Sequence, residues 1–142
     1  MKGEIVMVKE HVAVILFFAV CILWLPLCEG AENNNVSPKV IVTNPQNGAT
    51  DVDPSLSKIT VTFSKPMLDK SWSWSYEDKD LFPQTIGQPS YTDNGTTCVL
   101  PVKLEPGKRY VIWINTEKFK NFRDTSGNAA EPYKLTFTTR QK

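Results

Sequence analysis

Apolar and polar residues alternate in several short stretches of the chain after residue 38, and this alternation predicts its fold. In the stretch KITVTFS at 58–64, Ile59, Val61 and Phe63 fall on one side, and the lysine and threonines fall on the other. Because successive side chains of a strand point to opposite faces, a period of two predicts a β-strand with one buried face. The same pattern predicts further strands at 39–43, 71–76, 97–102, 109–115 and 133–139.

Turn-forming residues separate these strands. The stretch NPQNGATDVDP at 44–54 is dense in Asn, Asp, Gly and Pro, and Asp93-Asn94-Gly95 is typical of a hairpin turn. No stretch after the first thirty residues has the period of an amphipathic helix. About seven short strands in about 100 residues, separated by turns, predict an all-β fold, specifically an Ig-like β-sandwich.

One connection supports the Ig-like assignment. The stretch LEPGKRY at 104–110 combines a Pro-Gly turn with a tyrosine at the start of a strand. This order is typical of a tyrosine corner, in which the hydroxyl bonds back to the upstream backbone. We therefore expect the Tyr110 hydroxyl to satisfy a carbonyl group that would otherwise be buried and unpaired. Tyr110 is thus a predicted structural residue, together with Phe63 and Phe137, which are expected to face inward.

The stretch SWSWSY at 71–76 raises the question of a binding surface, because Trp72, Trp74 and Tyr76 occupy alternate positions. They share one face of a predicted strand, and that face either joins the core or forms an aromatic surface for a ligand. If the serines faced inward instead, each hydroxyl left unpaired would cost about 1 to 3 kcal/mol. The aromatic face is therefore expected to be largely inward, with Trp74 in the core.

Trp113 is expected on the outer face of its strand, because Ile112 and Ile114 take the inner face. An exposed tryptophan on a sheet can mark a contact surface. Alternatively, the long loop at 77–89 covers the indole, with Phe82 as a lid. The sequence leaves these two possibilities open.

The first thirty residues are predicted to be a secretory signal peptide. Lys2 and Lys9 precede an apolar run at 12–28 and small residues follow it, so cleavage is expected after Gly30. An uncleaved membrane anchor and a lipidated Cys28 remain alternatives. The predicted organisation is a leader at 1–30, a linker at 31–38 and one domain at 39–142.

Candidate catalytic and metal-binding residues are scarce after the leader. His11 lies within the leader, so the predicted domain offers no imidazole for a catalytic triad or a zinc site. Cys98 is expected to be a buried thiol in a strand. Asp124, Ser126 and Asn128 offer oxygens at alternate positions, as a calcium loop does, but a turn is the simpler interpretation. We expect no enzyme, no metal site and no cofactor.

Four stretches resemble a known family. They are 44–67, which contains NPQNGATDV and FSKPM, then LEPGKRYVIWIN at 104–115, DTSGNAA at 124–130 and LTFTT at 135–139. In this order they resemble the bacterial Ig-like domain of the SbsA type, first known from an S-layer protein, whereas 71–90 departs from its usual pattern. The resemblance implies an Ig-like sandwich that works outside the cytoplasm without catalysis, often repeated or attached to a surface protein.

Two functions from different classes follow. The first is a structural or protein-interaction module, secreted, periplasmic or at the cell surface, with an envelope protein as its partner. The second is a carbohydrate-binding module that stacks a polysaccharide on exposed aromatic residues, with Trp113, Trp72 and Tyr76 as the candidates. Nucleic acid is not an expected partner, because the chain has no basic block. A membrane contact is expected only through an uncleaved leader or a lipidated Cys28.

Overall fold

Eight strands form two antiparallel sheets in the computed structural model, which describes residues 35–142. The strands are β1 (Val40–Asn44), β2 (Lys58–Phe63), β3 (Trp74–Ser75), β4 (Gln84–Thr85), β5 (Ser90–Thr92), β6 (Thr97–Lys103), β7 (Arg109–Ile114) and β8 (Tyr133–Thr138). Two short 3₁₀ turns, Lys79–Leu81 and Asp93–Gly95, lie between them. The predicted all-β sandwich is confirmed. The predicted signal peptide, its cleavage site after Gly30 and the lipidation site at Cys28 lie outside the described residues.

The pairing order places each sheet's inward residues opposite one another. The first sheet runs β1-β2-β6-β4, with β5 pairing the same edge of β6, and the second runs β3-β7-β8. Ile59 lies opposite Leu100 in the first sheet, and Ile112 lies opposite Leu135 in the second. All four side chains are buried, so the alternation in the sequence corresponds to the inner faces of the two sheets.

The core lies between the sheets and is closed by rings from both. Tyr110 and Phe137 pack with centroids 5.2 Å apart, and Phe63 packs on Phe122 at the same distance. Phe122 is fully buried although it belongs to a long loop after β7. The thiol of Cys98 is buried in β6, as expected from its position in an apolar stretch. Because buried aromatic rings contribute large apolar areas, these contacts dominate the packing.

The two ends of the sandwich are defined by β8. We call the end where β8 begins the near end and the end where it finishes the far end. At the near end, the Pro38 carbonyl accepts a hydrogen bond from the Glu131 N–H at 3.0 Å, and Lys39 forms an ion pair with Glu131. Pro38 is buried and takes part in this contact, although it lies in the stretch predicted to be a linker. The last residues of the chain follow β8 at the far end.

The tyrosine corner lies at the far end, with one difference from the expectation. The Tyr110 hydroxyl accepts a hydrogen bond from the Glu105 N–H at 2.8 Å, so it satisfies a donor and not a carbonyl. The Glu105 carbonyl instead accepts a bond from the Thr139 hydroxyl at 2.5 Å. The same hydroxyl oxygen accepts the Lys108 N–H at 2.9 Å. Tyr110 and Thr139 together pair the polar backbone of the turn that precedes β7.

A buried asparagine organises the near end. Asn115 follows β7 with a positive φ of 56°, a conformation that asparagine tolerates better than most residues. Its amide group donates to the carbonyls of Phe122 and Ala130 and accepts from the Phe122 N–H, at 2.9 to 3.0 Å. The side chain is fully buried, and these bonds hold the loop after β7 against the core.

The predicted strand at 71–76 is wrong in extent, because only Trp74 and Ser75 pair with β7. Two serines explain the difference. The Ser71 hydroxyl donates to the Asn121 carbonyl, and the Ser73 hydroxyl accepts the Asn121 N–H. Serine side chains that bond to a nearby backbone compete with a strand ladder. The first half of the segment 71–76 is therefore hydrogen-bonded to the loop after β7 and not to a neighbouring strand.

Candidate functional site

The aromatic residues of the stretch 71–76 line a groove between the free edges of the two sheets. This edge groove is bounded by β3 on one side and by residues 85–89 on the other, and it encloses about 660 Å³. Its aromatic lining consists of Trp72, Trp74, Tyr76, Phe82 and Phe119. Concave sites of roughly 300 to 1,000 Å³ with aromatic walls are typical of ligand and peptide contacts. The edge groove is therefore the first candidate surface.

Trp74 forms the inner wall of the edge groove. It lies opposite Ile114, which is buried, so its ring points toward the core. The ring meets Phe122 edge-on, with centroids 5.4 Å apart and planes at 80°. Its buried Nε1–H has no hydrogen-bond partner of normal geometry within residues 35–142. The structure therefore packs Trp74 on the core, yet leaves its one polar atom unsatisfied.

Trp72 is held at the rim of the edge groove by β5. Its ring lies 6.4 Å from that of Tyr91, and the Tyr91 hydroxyl donates to the Ser71 carbonyl at 2.7 Å. Burial raises the pKa of Tyr91, so its hydroxyl stays protonated and available as a donor. This hydrogen bond joins the two free edges at one end of the groove. Trp72 is half-buried as a result.

Tyr76 does not share the inner face with Trp72 and Trp74, contrary to the expectation. Its side chain is 52% exposed, and its ring packs on Phe82 with centroids 5.4 Å apart. Strand pairing stops at Ser75, and the chain then turns at Asp78, whose carboxylate accepts the Asp80 N–H. Alternation no longer decides the direction of a side chain once the strand has ended.

Trp113 lies outward on β7, and Phe82 is not its lid. Its Nε1–H donates to the Glu77 carboxylate at 3.0 Å, and the Lys134 ammonium lies 5.2 Å from the ring centroid. Phe82 packs on Tyr76 instead. The indole is half-buried and borders a second, smaller groove of about 390 Å³, which it shares with Tyr76. We call this the indole groove.

Tyr76 therefore lines both grooves, and the three candidate residues do not form a single platform. Trp72 lies in the edge groove and Trp113 in the indole groove. Glu77 and Phe119 could not be predicted as site residues, because neither falls on an alternating stretch. Phe119 is 50% exposed and lies in the loop after β7, which reaches the edge groove only through the fold.

The remaining polar candidates are occupied by the chain itself. One oxygen of Asp124 accepts the N–H groups of Ser126 and Asn128, and the other accepts the side-chain amide of Asn128, all at 2.9 to 3.0 Å. Burial raises the pKa of Asp124, but these hydrogen bonds and the nearby Lys65 outweigh it and hold the pKa below its usual value. This geometry is that of a turn, since N–H donors would repel a calcium ion.

The Asp53 carboxylate is likewise paired within the domain, and the Cys98 thiol is buried. Asp53 accepts bonds from Ser55 and pairs with Arg140. Burial raises the pKa of Cys98 to about 12, an effect that the polar edge of Trp74 only partly opposes, so the thiol stays protonated at neutral pH. Within residues 35–142, no three side chains of the metal-binding types come together. No helix in that part of the chain is long and apolar enough to cross a membrane.

Comparison with known proteins places these features in a family context. The family described as bacterial Ig-like domain matches residues 34–139. No curated protein matches the chain. Two similar solved structures are those of the S-layer protein rSbsC(31-844) and of domains 1-6 of the surface layer protein SbsC. Each is 22% identical with a TM-score of 0.46, over 74% of this chain and 14% of the other. The chain thus spans about a seventh of their length.

Proposed function

This chain belongs to the bacterial Ig-like domain family, and we propose that it is a non-catalytic structural module of the bacterial cell envelope, which transmits mechanical load from one end of the domain to the other. Its place is outside the cytoplasm, secreted or at the cell surface. Family membership supports the location and the structural class. One arrangement of the backbone supports the transmission of load.

That arrangement is the pairing of residues 47–53 with β8. The Gly48 N–H donates to the Thr136 carbonyl at 2.7 Å, and the Thr138 N–H donates to the Ala49 carbonyl at 2.8 Å. Further along, the Val52 N–H donates to the Thr138 carbonyl at 3.1 Å, and the Arg140 N–H donates to the Val52 carbonyl at 2.9 Å. The bridge between Val52 and Thr139 is parallel. The early chain and the last strand therefore run side by side in the same direction.

The ends of the domain lie at opposite ends of the sandwich. The chain enters beside Glu131, just before β8, and it leaves after Thr138. The six residues of β8 span about 20 Å, at roughly 3.4 Å per residue. A pull on the two ends therefore drags residues 47–53 toward the near end and β8 toward the far end.

Such a pull loads the hydrogen bonds in shear. Parallel segments that slide past each other must break their bonds together, whereas strands that peel apart break them one at a time. Forced unfolding is governed by the rate of unfolding and not by equilibrium stability. The hydrogen bonds between residues 47–53 and β8 should therefore determine how fast the domain unfolds under force.

Single-molecule pulling through the two ends of the domain tests this proposal. Val52→Pro removes the N–H that bonds to Thr138, while the residue can remain extended. One hydrogen bond contributes about 0.5 to 1.5 kcal/mol, so unfolding at a given force should accelerate by about 2- to 10-fold. The matched control is Ile86→Pro, which removes the bond from the Ile86 N–H to the Pro101 carbonyl, 3.1 Å long and outside the path of the load.

The control variant should lose equilibrium stability in a denaturant titration but unfold under force at nearly the wild-type rate. If both variants unfolded under force faster by the same factor, the pairing of residues 47–53 with β8 would not be what resists the load. A wild-type domain that unfolds at the lowest measurable forces would contradict the proposed transmission of load.

A further inference from the structure

We propose that the indole groove is a binding site for a neutral sugar ring of a polysaccharide, with Trp113 as its floor. The inference goes beyond a structural module, and it does not depend on the transmission of load. It rests on the fixed orientation of the indole, on the walls of the groove and on the balance of charge around it.

The indole of Trp113 is held from two sides. Its Nε1–H donates to one oxygen of Glu77 at 3.0 Å, and the other oxygen of Glu77 lies 3.4 Å from the Lys134 ammonium. The same ammonium lies over one face of the ring, 5.2 Å from its centroid, so a sugar would have to stack on the opposite face. Lys134 and Trp113 are also direct neighbours on paired strands, which fixes their register. A ring that is already oriented loses little freedom when a ligand binds, so less of the binding free energy is lost to ordering.

The groove next to this ring has the dimensions and walls of a small ligand site. It encloses about 390 Å³, and its further walls come from Tyr76, Thr116, Pro132 and the side chains of Glu117 and Lys118. Tyr76 is 52% exposed, so a second aromatic ring stands at its border. A mainly apolar floor with a few polar groups at the rim is typical of sites that orient a small molecule.

The charges at the groove favour a neutral ligand. Glu77 is paired with Lys134 and Glu117 with Lys120, so both carboxylates at the groove have a cationic partner, and Lys118 adds one further positive charge at the rim. A strongly anionic or cationic ligand would meet a like charge at close range. A pyranose ring has an apolar face of C–H groups, which can stack on an indole, and hydroxyls at its edge, which can both donate and accept hydrogen bonds. This combination matches the floor and the mixed rim.

Affinity electrophoresis of the full chain tests the site. The gels contain a soluble β-1,3-glucan, a soluble β-1,4-glucan, a neutral xylan or, as the anionic comparison, alginate. We expect at least one neutral polysaccharide to retard the protein and Trp113→Ala to remove at least nine-tenths of the retardation. Trp72→Ala is the matched control, since it removes a tryptophan that lines the edge groove instead, and it should migrate with the wild-type protein.

Three results would overturn the proposal: no retardation of the wild-type protein by any neutral polymer, retardation by alginate alone, or an unchanged Trp113→Ala variant. Should Trp113→Ala fail to fold, Trp113→Tyr replaces it, because a tyrosine keeps an aromatic floor in the groove. We then expect Trp113→Tyr to retain part of the retardation. If Trp72→Ala lost as much of the retardation as Trp113→Tyr, the assignment of the sugar site to the indole groove would be contradicted. A domain that unfolds easily under force while it binds sugar would remove the mechanical proposal and leave this one standing.

Discussion

The two long sides of the sandwich are closed in different ways. On the closed side, residues 47–53 bridge from the first sheet to β8 by backbone hydrogen bonds. On the open side, β3 and residues 85–89 stay apart, and aromatic rings line the groove between them. Within residues 35–142, the one buried side-chain polar atom without a hydrogen-bond partner of normal geometry, the Trp74 Nε1–H, lies on the open side. Where backbone pairing ends, side chains face solvent, and contacts with other molecules become possible.

The largest expected effect tests whether the open side is nonetheless anchored to the core. Trp74→Ala should lower the free energy of unfolding by about 3 to 5 kcal/mol, as large-to-small changes in a core do. The reason is the edge-on contact of its ring with the buried Phe122. Denaturant titration measures the change. A loss below about 1 kcal/mol would show that Trp74 belongs to the groove and not to the core.

The next effect probes the closed side at its far end. Thr139→Val keeps the shape of the side chain but leaves the Glu105 carbonyl and the Lys108 N–H without their partner. Each unpaired buried group costs about 1 to 3 kcal/mol, and because both groups are only part-buried we expect a total loss toward the lower end, of about 2 to 4 kcal/mol. Thr138→Val is the matched control, since its side chain is half-buried and should tolerate the change within about 0.5 kcal/mol. Equal losses of stability in the two variants would show that the hydrogen bonds of the Thr139 hydroxyl do not stabilise the domain.

Tyr110→Phe isolates a single bond of the same corner. The variant leaves the Glu105 N–H unpaired, and we expect a loss of about 1 to 3 kcal/mol. Tyr76→Phe serves as the control, because Tyr76 is largely exposed. Thermal or denaturant unfolding should separate the two variants. Indistinguishable midpoints would mean that water satisfies the Glu105 N–H as well as Tyr110 does.

The smallest effect is expected at the most exposed ring of the open side. Tyr76→Ala removes a side chain that is 52% exposed and contacts Phe82, so the loss should stay below about 1 kcal/mol. A larger loss, measured in the same titration, would mean that the ring of Tyr76 is needed to hold the loop 77–89 in place. The open side would then be more firmly held together than the 52% exposure of Tyr76 indicates, and it would differ less from the closed side.

Much of the fold could be predicted from alternation, because strands with one buried face impose it directly. Strands β2, β6, β7 and β8 lie where the pattern indicated, and the outward direction of Trp113 follows from the same rule. The pairing of residues 47–53 with β8 could not be predicted, since backbone hydrogen bonds between distant segments leave no side-chain pattern.

The candidate site was less accessible to prediction for a similar reason. Tyr76 left the shared face because strand pairing stops at Ser75 and the chain turns at Asp78. The serines that keep residues 71–73 out of the strand bond to Asn121, far away in the sequence. The contact between Glu77 and Trp113 spans 36 positions. Side-chain contacts of this range depend on how the sheets stack, and local periodicity does not contain that information.

Native-state hydrogen exchange tests the contrast between the two sides most directly. We predict that the amides of Gly48, Val52 and Thr138 exchange only through global unfolding, because their bonds close the sandwich. The Ile86 amide, also hydrogen-bonded but on the open side, should exchange through local opening at a lower free energy. Equal free energies of exchange at the two sides, or faster exchange at Val52 than at Ile86, would contradict the account.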